Sequence, residues 1–134
     1  MIKGIGIDSV EKDRISKIYA KYGHRFQEKI LSSSEKRELT MKPGNFSKIR
    51  YLSNNCACKE ALSKVLGLGF TQGVSMKEIE VLRNDKGRPF INLLGRTREI
   101  ARDLNIKNIS VSITDTKNIS TAFVVGEEIW KLYF

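Results

Sequence analysis

The segment that constrains the fold most is residues 46–66, because its periodicity predicts the longest helix of the chain. Its apolar side chains recur at helical spacing and form one stripe along the segment. Gly67 and Gly69 follow directly and are typical of a helix end. We expect this helix to lie at the centre of the fold. The stripe consists of Ile49, Leu52, Ala57, Ala61, Leu62, Val65 and Leu66.

The other segments predict an α+β fold in a single domain over residues 1–134. Ser32 and Glu35 have the spacing of a capping box, which predicts the start of a short helix. Mostly adjacent strands follow the helices, which favours an antiparallel sheet packed with a long central helix and shorter helices. Further helices are predicted over 11–22 and 96–105, and strands over 2–8, 78–83, 90–94, 109–114 and 119–125; residues 127–134 show no clear pattern.

The two cysteines indicate neither a disulfide framework nor a zinc site. Cys56 and Cys58 are two positions apart on the predicted helix, where each residue turns about 100°, so their side chains point apart. No second cysteine pair or histidine cluster accompanies them, and small buried or half-buried thiols are expected. The first residues lack the pattern of a signal peptide, and no apolar run has the roughly 20 residues of a membrane span. We therefore expect a cytoplasmic protein.

The charge of the chain is strongly basic and unevenly distributed. Lysine and arginine number 24 against 15 aspartate and glutamate residues, which gives a formal charge of +9. Residues 11–50 contain eleven of the basic and five of the acidic groups, and Arg14, Lys17 and Lys21 share one side of the predicted helix 11–22. A solvated surface explains such a run of charge. The alternative is a docking face for an anionic partner, such as nucleic acid, an acidic protein, a phosphate compound or a membrane.

Glu60 and Lys64 are the strongest candidates for a functional site, because they lie four positions apart on one face of the long predicted helix. One interpretation is a solubilising ion pair worth a few tenths of a kcal/mol. The other is a phosphate site, in which a carboxylate holds Mg²⁺ and an ammonium neutralises phosphate oxygens. Asp8, at the end of the first predicted strand, is a candidate second carboxylate, and Gly67 and Gly69 offer bare backbone nearby.

Several motifs of the chain resemble those of the holo-acyl-carrier-protein synthases, the small bacterial class of 4′-phosphopantetheinyl transferases. The resemblance extends over nearly the full length and depends on the order and spacing of the motifs rather than on one glycine loop. The matching segments are 6–15 (GIDSVEKDRI), 26–35 (FQEKILSSSE), 57–69 (ACKEALSKVLGLG), 87–89 (GRP) and 111–114 (VSIT).

The resemblance implies Mg²⁺-dependent transfer of the 4′-phosphopantetheine group from coenzyme A to a serine of apo-acyl carrier protein, with release of adenosine 3′,5′-bisphosphate. Asp8 and Glu60 would hold Mg²⁺, Glu60 would help to deprotonate the serine, and Lys64 would stabilise charge on the transferred phosphoryl group. Family members are typically homotrimers with sites between subunits. The implied coenzyme A contacts are Lys64, Gly67, Gly69, Arg88, Pro89, Thr114 and Asp115, and the implied carrier-protein contacts are Arg14, Lys17, Lys21 and Arg25.

Two positions depart from the family pattern. The family has histidine after the VSIS strand where this chain has Asp115, and Arg-Phe before the AxKE stretch where it has Asn55 and Cys56. Asp115 is expected to turn away from the site, to add a carboxylate to the metal site, or to weaken coenzyme A binding. The candidates to replace the missing cation are Lys48, Arg50 and Lys59.

Two other functions stay open at this point. A small basic nucleic-acid-binding protein would explain the charge, although aromatic residues are only 8% of the chain and do not form the stacking motif of an RNA-binding sheet. A non-catalytic adaptor, or a catalytically weakened relative, would bind acidic carrier proteins through the basic helix. The adaptor would leave Asp8, Glu60 and Lys64 without a role. Only the enzyme requires Mg²⁺ and coenzyme A together.

Overall fold

The computed structural model describes residues 1–128. Strand β1 (Ile2–Glu11) leads into helices α1 (Lys12–Tyr22), α2 (His24–Ile30) and α3 (Ser33–Thr40), and then into the long helix α4 (Gly44–Leu66). A 3₁₀ turn (Met76–Glu78) precedes β2 (Ile79–Arg83) and β3 (Pro89–Leu93), and helix α5 (Gly95–Asp103) precedes β4 (Asn108–Asp115) and β5 (Ile119–Glu127). Residues 129–134, which make up most of the segment without a clear sequence pattern, lie outside the described residues.

The strands form two antiparallel sheets, and the expected α+β class is confirmed. β5 is central in a sheet of order β1-β5-β4, and β2 pairs with β3 in a separate hairpin. The first strand does not end near Asp8 but continues to Glu11, because it stays paired with β5 as far as Ile119. Helix α2 was not expected from the sequence; Gly23, with a φ of 49°, separates it from α1.

Helix α4 lies directly against the backbone of β1 and β5. Gly6 leaves no room for a side chain, because a Cβ atom there would lie 1.9 Å from the Ala61 carbonyl oxygen. A Cβ atom at Gly126 would lie 2.6 Å from the Val65 side chain. This close approach brings the second half of α4 onto the strand that carries Asp8.

The middle of α4 is buried around most of its circumference. The buried surface is therefore wider than the single apolar stripe that the sequence predicted. Polar residues between the apolar ones, including Ser53, Asn55 and Lys59, are buried as well. They are covered because α3 and β2 also pack against α4, in addition to the three-stranded sheet. Cys56 and Cys58 are buried free thiols, as expected. Within residues 1–128, no helix has both the length and the hydropathy needed to cross a bilayer.

Candidate active site

Asp8, Glu60 and Lys64 come together where β1 meets the second half of α4. Asp8 occupies one of the alternating positions of β1 that face the helix. The Lys64 ammonium donates to Asp8 Oδ1 over 3.0 Å and to the Ile7 carbonyl oxygen over 2.8 Å. Glu60 lies one turn before Lys64 on α4. The three residues that the sequence singled out are therefore neighbours in space.

The surroundings of the Glu60 carboxyl group bring its pKa close to neutral pH. Burial, followed by interaction with Asp8, raises the pKa of Glu60 from 4.5 to about 7, while the positive charges of Arg14 and Lys64 act to lower it. A general base works best when its pKa lies near the working pH. Glu60 therefore has the properties required of a general base.

The carboxyl groups of Asp8 and Glu60 also fit a magnesium ion. Asp8 Oδ2 is buried and has no hydrogen-bond partner, and two carboxylates in contact favour a cation between them. Mg²⁺ uses one or two protein carboxylates and keeps its other positions for water and substrate phosphates. Among residues 1–128, no group of three or more acidic, histidine or cysteine side chains is placed to hold a metal. A metal ion here would therefore take its remaining ligands from water and substrate.

Replacing Asp8 with asparagine is expected to lower the pKa of Glu60 toward 4.5 in the metal-free protein. The negative charge of Asp8 disfavours the charged form of Glu60, and the variant removes it. NMR titration of the Glu60 side-chain carboxyl carbon measures this change. The matched control is Asp13→Asn, which removes an exposed carboxylate paired with Lys17 and should leave the Glu60 pKa unchanged. An unshifted pKa in the Asp8 variant would contradict the interaction.

A cavity of about 460 Å³ opens between α1, α2 and α4, and Glu60 is part of its wall. The wall combines apolar side chains with the cations Arg14, Arg25 and Lys29. Lys17 and Lys21, the other expected carrier-protein contacts, do not line it. Lys17 forms an exposed ion pair with Asp13 at 3.0 Å, and the Lys21 ammonium lies 5.2 Å from the centroid of the Tyr22 ring. Through this cavity a partner can reach Glu60 past Arg14 and Arg25, two of the four predicted carrier-protein contacts.

The expected coenzyme A contacts fall into two groups near opposite ends of α4. Gly67 ends α4 in the left-handed conformation, with a φ of 75°, close to Lys64. Thr114 and Asp115 end β4, where Asp115 contacts Arg50 from the first half of α4. Arg50 and Lys64 are separated by about 21 Å along the helix at 1.5 Å per residue. A single chain therefore does not bring the two groups together.

Arg88 and Pro89 lie at the tip of the β2–β3 hairpin, which packs against the middle of α4. The turn is fixed by Asn84, whose Oδ1 accepts from the Arg88 amide over 3.0 Å. Arg83, the register partner of Pro89, reaches α4 and donates to Asn55 Oδ1 over 2.9 Å. The hairpin thus packs against α4 at Asn55, between the two groups of expected contacts along the helix.

Asp115 binds two cations of its own chain. Its carboxylate accepts from Lys12 over 2.6 Å and from Arg50 over 2.9 and 3.1 Å. The hydrogen bond from Arg50 lowers the pKa of Asp115 most; burial opposes it, and the hydrogen bond from Lys12 adds to the lowering. The expectation that Asp115 adds a carboxylate to the metal site is wrong within one chain, because its partners hold it near the opposite end of α4.

The expectation that Lys59 replaces the missing cation is wrong as well. Its side chain is fully buried, and its ammonium donates to Glu35 Oε1 over 2.7 Å and to the carbonyl oxygens of Met76 and Ile79. Sequence reasoning missed a cation that does lie at Asn55, namely Arg83. Its sole sequence signal was a basic residue at the end of the predicted strand 78–83.

Comparison with known proteins places the chain and its fold in a defined family. The model of the 4′-phosphopantetheinyl transferase superfamily matches residues 4–124. The chain belongs to this superfamily, as the resemblance of its motifs indicated.

Within the superfamily, the chain is similar to holo-[acyl-carrier-protein] synthases. The one from Wigglesworthia glossinidia brevipalpis is 41% identical over 130 residues, which cover 95% of this chain and 93% of the relative. The crystal structure of the Neisseria meningitidis synthase gives a TM-score of 0.86 at 31% identity, over 95% of this chain and 99% of that one. The Bacillus anthracis synthase, solved in complex with CoA (3′,5′-ADP), gives a TM-score of 0.80 at 31% identity, over 96% and 99% of the two chains.

Proposed function

We infer that the chain transfers 4′-phosphopantetheine from coenzyme A to a serine of apo-acyl carrier protein, the activity of a holo-[acyl-carrier-protein] synthase. The observation that carries this inference is the cluster of Asp8, Glu60 and Lys64 in a chain of the phosphopantetheinyl transferase superfamily. The names of its relatives and the coenzyme A complex of the Bacillus anthracis synthase support it.

Glu60 and Lys64 have separate tasks in the proposed reaction. Glu60 accepts the proton of the serine hydroxyl while the serine oxygen bonds to the phosphorus on the pantetheine side of the pyrophosphate. The bond between that phosphorus and the bridging oxygen breaks, and adenosine 3′,5′-bisphosphate leaves with the oxygen. The Lys64 side chain is 55% exposed, so its ammonium is accessible to the phosphate oxygens.

Mg²⁺ is part of the proposal. Asp8 and Glu60 would hold the ion, and when bound it would neutralise charge on the pyrophosphate. The unpartnered Asp8 Oδ2 and the raised pKa of Glu60 support this assignment, because a free carboxylate oxygen beside a second carboxyl group offers a place for a cation.

We also propose that the active site is completed between copies in a homotrimer. The outer face of the three-stranded sheet exposes Ile5 and Ile7 by 60% and 59%, and Phe123, the register partner of Ile7, by 44%. Apolar side chains clustered on one face favour burial against another subunit. A second copy would also unite the two groups of coenzyme A contacts: Lys64, Gly67 and Gly69 from one copy, and Arg88, Pro89 and Thr114 from the next. Sedimentation velocity tests this, and a particle with the mass of a single chain would contradict it.

The basic wall of the cavity is the proposed docking face for the acidic carrier protein. Arg14 and Arg25 lie beside Glu60 in this wall, and Lys17 and Lys21 extend the positive charge over α1. Complementary charge would steer the carrier protein to the cavity and bring its serine to Glu60. The proposal assigns the basic surface to carrier protein and coenzyme A rather than to nucleic acid. Two buried free cysteines support a reducing, cytoplasmic setting.

The activity is tested by intact-mass spectrometry of apo-acyl carrier protein incubated with the chain, coenzyme A and Mg²⁺. The expected result is a gain of one phosphopantetheine group that is absent when EDTA is added. No gain, with a carrier protein that another transferase modifies, would contradict the proposed function. Binding to carrier protein without transfer would then support the adaptor.

Replacing Arg25 with glutamate is expected to raise KM for the carrier protein about tenfold and to change kcat little. Arg25 lines the cavity, and the cations that act most on the pKa of Glu60 are Arg14 and Lys64 rather than Arg25. Steady-state kinetics at two salt concentrations measures the effect, which should shrink as salt screens the charges. Arg102→Glu, an exposed position on α5, is the matched control. An unchanged KM in the Arg25 variant would remove this wall from the docking face.

A further inference from the structure

The turn between β4 and β5 holds the first residue of helix α1. The Lys12 backbone amide donates to the Asn118 carbonyl oxygen over 2.8 Å. The Lys12 ammonium reaches the same turn, where it donates to Asp115 Oδ2 over 2.6 Å and to the Thr116 carbonyl oxygen over 2.5 Å. The Lys12 side chain is only 9% exposed. The start of α1 is therefore bound to a residue that is 103 positions away in the sequence.

Helix α1 depends on this contact because few other features fix its start. It has 11 residues, and an isolated helix shorter than about 12–15 residues is marginal in water. Within residues 1–128, the Glu11 side chain makes no hydrogen bond that caps the first turn of α1. The buried residues of α1 are Lys12 and Ile15. The contact of Lys12 is thus one of the two buried anchors of the helix.

The Asp115 carboxylate is held by elements other than α1. Arg50 of α4 donates to Asp115 Oδ2 over 2.9 Å and to Oδ1 over 3.1 Å, and such a two-point contact fixes the orientation of a carboxylate. Ser120, the register partner of Asp115 on β5, is fully buried and donates to Asn54 Oδ1 of α4 over 2.6 Å. The Asp115 carboxylate is therefore a fixed point to which the start of α1 is attached.

The place of α1 decides where the cation Arg14 lies relative to Glu60. Arg14 follows Lys12 by two residues and lines the cavity together with Glu60. Ile15, the other buried residue of α1, lies in the same wall. Two residues of a helix span about 3 Å along its axis, so a displacement of Lys12 displaces Arg14 by a similar amount. The docking surface on α1 thus depends on the contact between Lys12 and Asp115.

We propose that Asp115 is a positioning residue for binding of the carrier protein. Through Lys12 it fixes the start of α1 and thereby the place of Arg14 in the cavity wall; this inference rests on the proposed function. Asp115 acts through Lys12 and α1 rather than by touching a substrate. When the contact between Lys12 and Asp115 is lost, docking has to restore the position of α1, and the cost of that ordering lowers the affinity. The loss should concern the carrier protein and leave coenzyme A binding unchanged.

Lys12→Met is the variant that tests the proposal, because it keeps a long side chain and leaves Asp115 paired with Arg50. KM for the apo-carrier protein should rise about three- to tenfold, in the range of one net hydrogen bond. The values of kcat and of KM for coenzyme A should change by less than about twofold. Hydrogen exchange measured by mass spectrometry should be about tenfold faster at the α1 amides and unchanged in β5. Arg96→Met, which breaks an exposed ion pair with Glu99 on α5, is the control and should change neither measurement.

Asp115→Asn weakens the same contact from its other end and should also raise KM for the carrier protein. Because it leaves the Lys12 ammonium buried without its counter-ion, the double variant Lys12→Met/Asp115→Asn provides a second test. The rise of KM in the double variant should be smaller than the product of the two single effects, since both act on one contact. Single effects that multiply in full would contradict a role of Asp115 through Lys12.

Two further results would overturn the inference. One is an unchanged KM for the carrier protein in Lys12→Met, whether or not α1 exchanges faster. The other is a larger rise of KM for coenzyme A than for the carrier protein, which would make Asp115 part of the coenzyme A site. Calorimetric binding of apo-carrier protein separates the inference from the proposed function. A parent chain that binds it without transfer contradicts the function alone, and weaker binding by Lys12→Met then still supports the inference; a parent chain that does not bind it overturns both.

Discussion

Replacing Glu60 with glutamine is expected to lower the rate of phosphopantetheine transfer by a factor of about 10³ or more. A positioned general base contributes roughly 10²- to 10⁴-fold, and this variant also removes one of two carboxylates proposed to hold Mg²⁺. Glutamine keeps the size of the side chain, so the loss reflects chemistry rather than packing. Intact-mass measurement of carrier protein over time gives the rate. Glu99→Gln, at an exposed carboxylate on α5, is the control and should transfer at the normal rate.

The same residue predicts a pH dependence for the unchanged chain. Glu60 must lose its proton to hold Mg²⁺, so binding of Mg²⁺ to the metal-free chain should weaken as pH decreases through about 7. The folding stability should depend on pH in the opposite direction. Because the folded pKa is raised above 4.5, the folded state holds the proton more tightly, and stability is lost as pH rises from about 4.5 to about 7. Glu60→Gln removes this cost, so at pH 8 it should unfold no earlier than the parent chain.

These two measurements together make the assignment of Glu60 testable. A variant that is inactive and at least as stable at pH 8 would show that the site sacrifices stability for function. Near-normal transfer by Glu60→Gln would remove Glu60 both as base and as metal ligand. Loss of activity together with loss of stability would indicate a structural role instead.

Local sequence signals were sufficient for the parts of the fold that depend on nearby residues. The capping box at Ser32 and Glu35 is present, with Glu35 Oε1 accepting from the Ser32 amide over 3.0 Å and Ser32 Oγ accepting from the Glu35 amide over 3.2 Å. Glu60 and Lys64, four positions apart in the sequence, likewise lie one turn apart on α4, as predicted. Asp8 was a candidate second carboxylate because it lies at the end of a predicted strand, and the family resemblance supported it, but no spacing in the sequence relates β1 to α4.

Contacts between distant residues were beyond the reach of the sequence. Asp115 was considered as a phosphate or metal contact, but its partners Lys12 and Arg50 are 103 and 65 positions away. The pairing of Arg83 with Asn55 spans 28 positions and depends on how the hairpin packs on α4. Periodicity reports which side of an element is apolar. It does not report which polar side chains meet after the elements have packed.

The interaction that sequence reasoning misjudged most is that between Lys59 and Glu35. Both side chains are 0% exposed, and the ammonium lies 2.7 Å from Glu35 Oε1. Glu35 Oε2 also accepts from Asn55 over 2.8 Å and from the Val81 amide over 3.3 Å, so the pair joins α3, α4 and β2. Burial lowers the pKa of Lys59, while the charge of Glu35 raises it again. The pair is therefore a structural element and not part of a ligand site.

Replacing Lys59 with methionine is accordingly expected to lower the free energy of unfolding by about 3–5 kcal/mol, because it leaves the Glu35 carboxylate buried without its counter-ion. Urea denaturation followed by circular dichroism measures the loss. Lys64→Met, at an exposed lysine on the same helix, should cost less than about 1 kcal/mol. The double variant Lys59→Met/Glu35→Gln should lose less than the sum of the single variants, since neither charge of the pair remains. Under conditions where Lys59→Met is folded, its affinity for coenzyme A should be unchanged; a large loss of affinity with little loss of stability would return Lys59 to the ligand site.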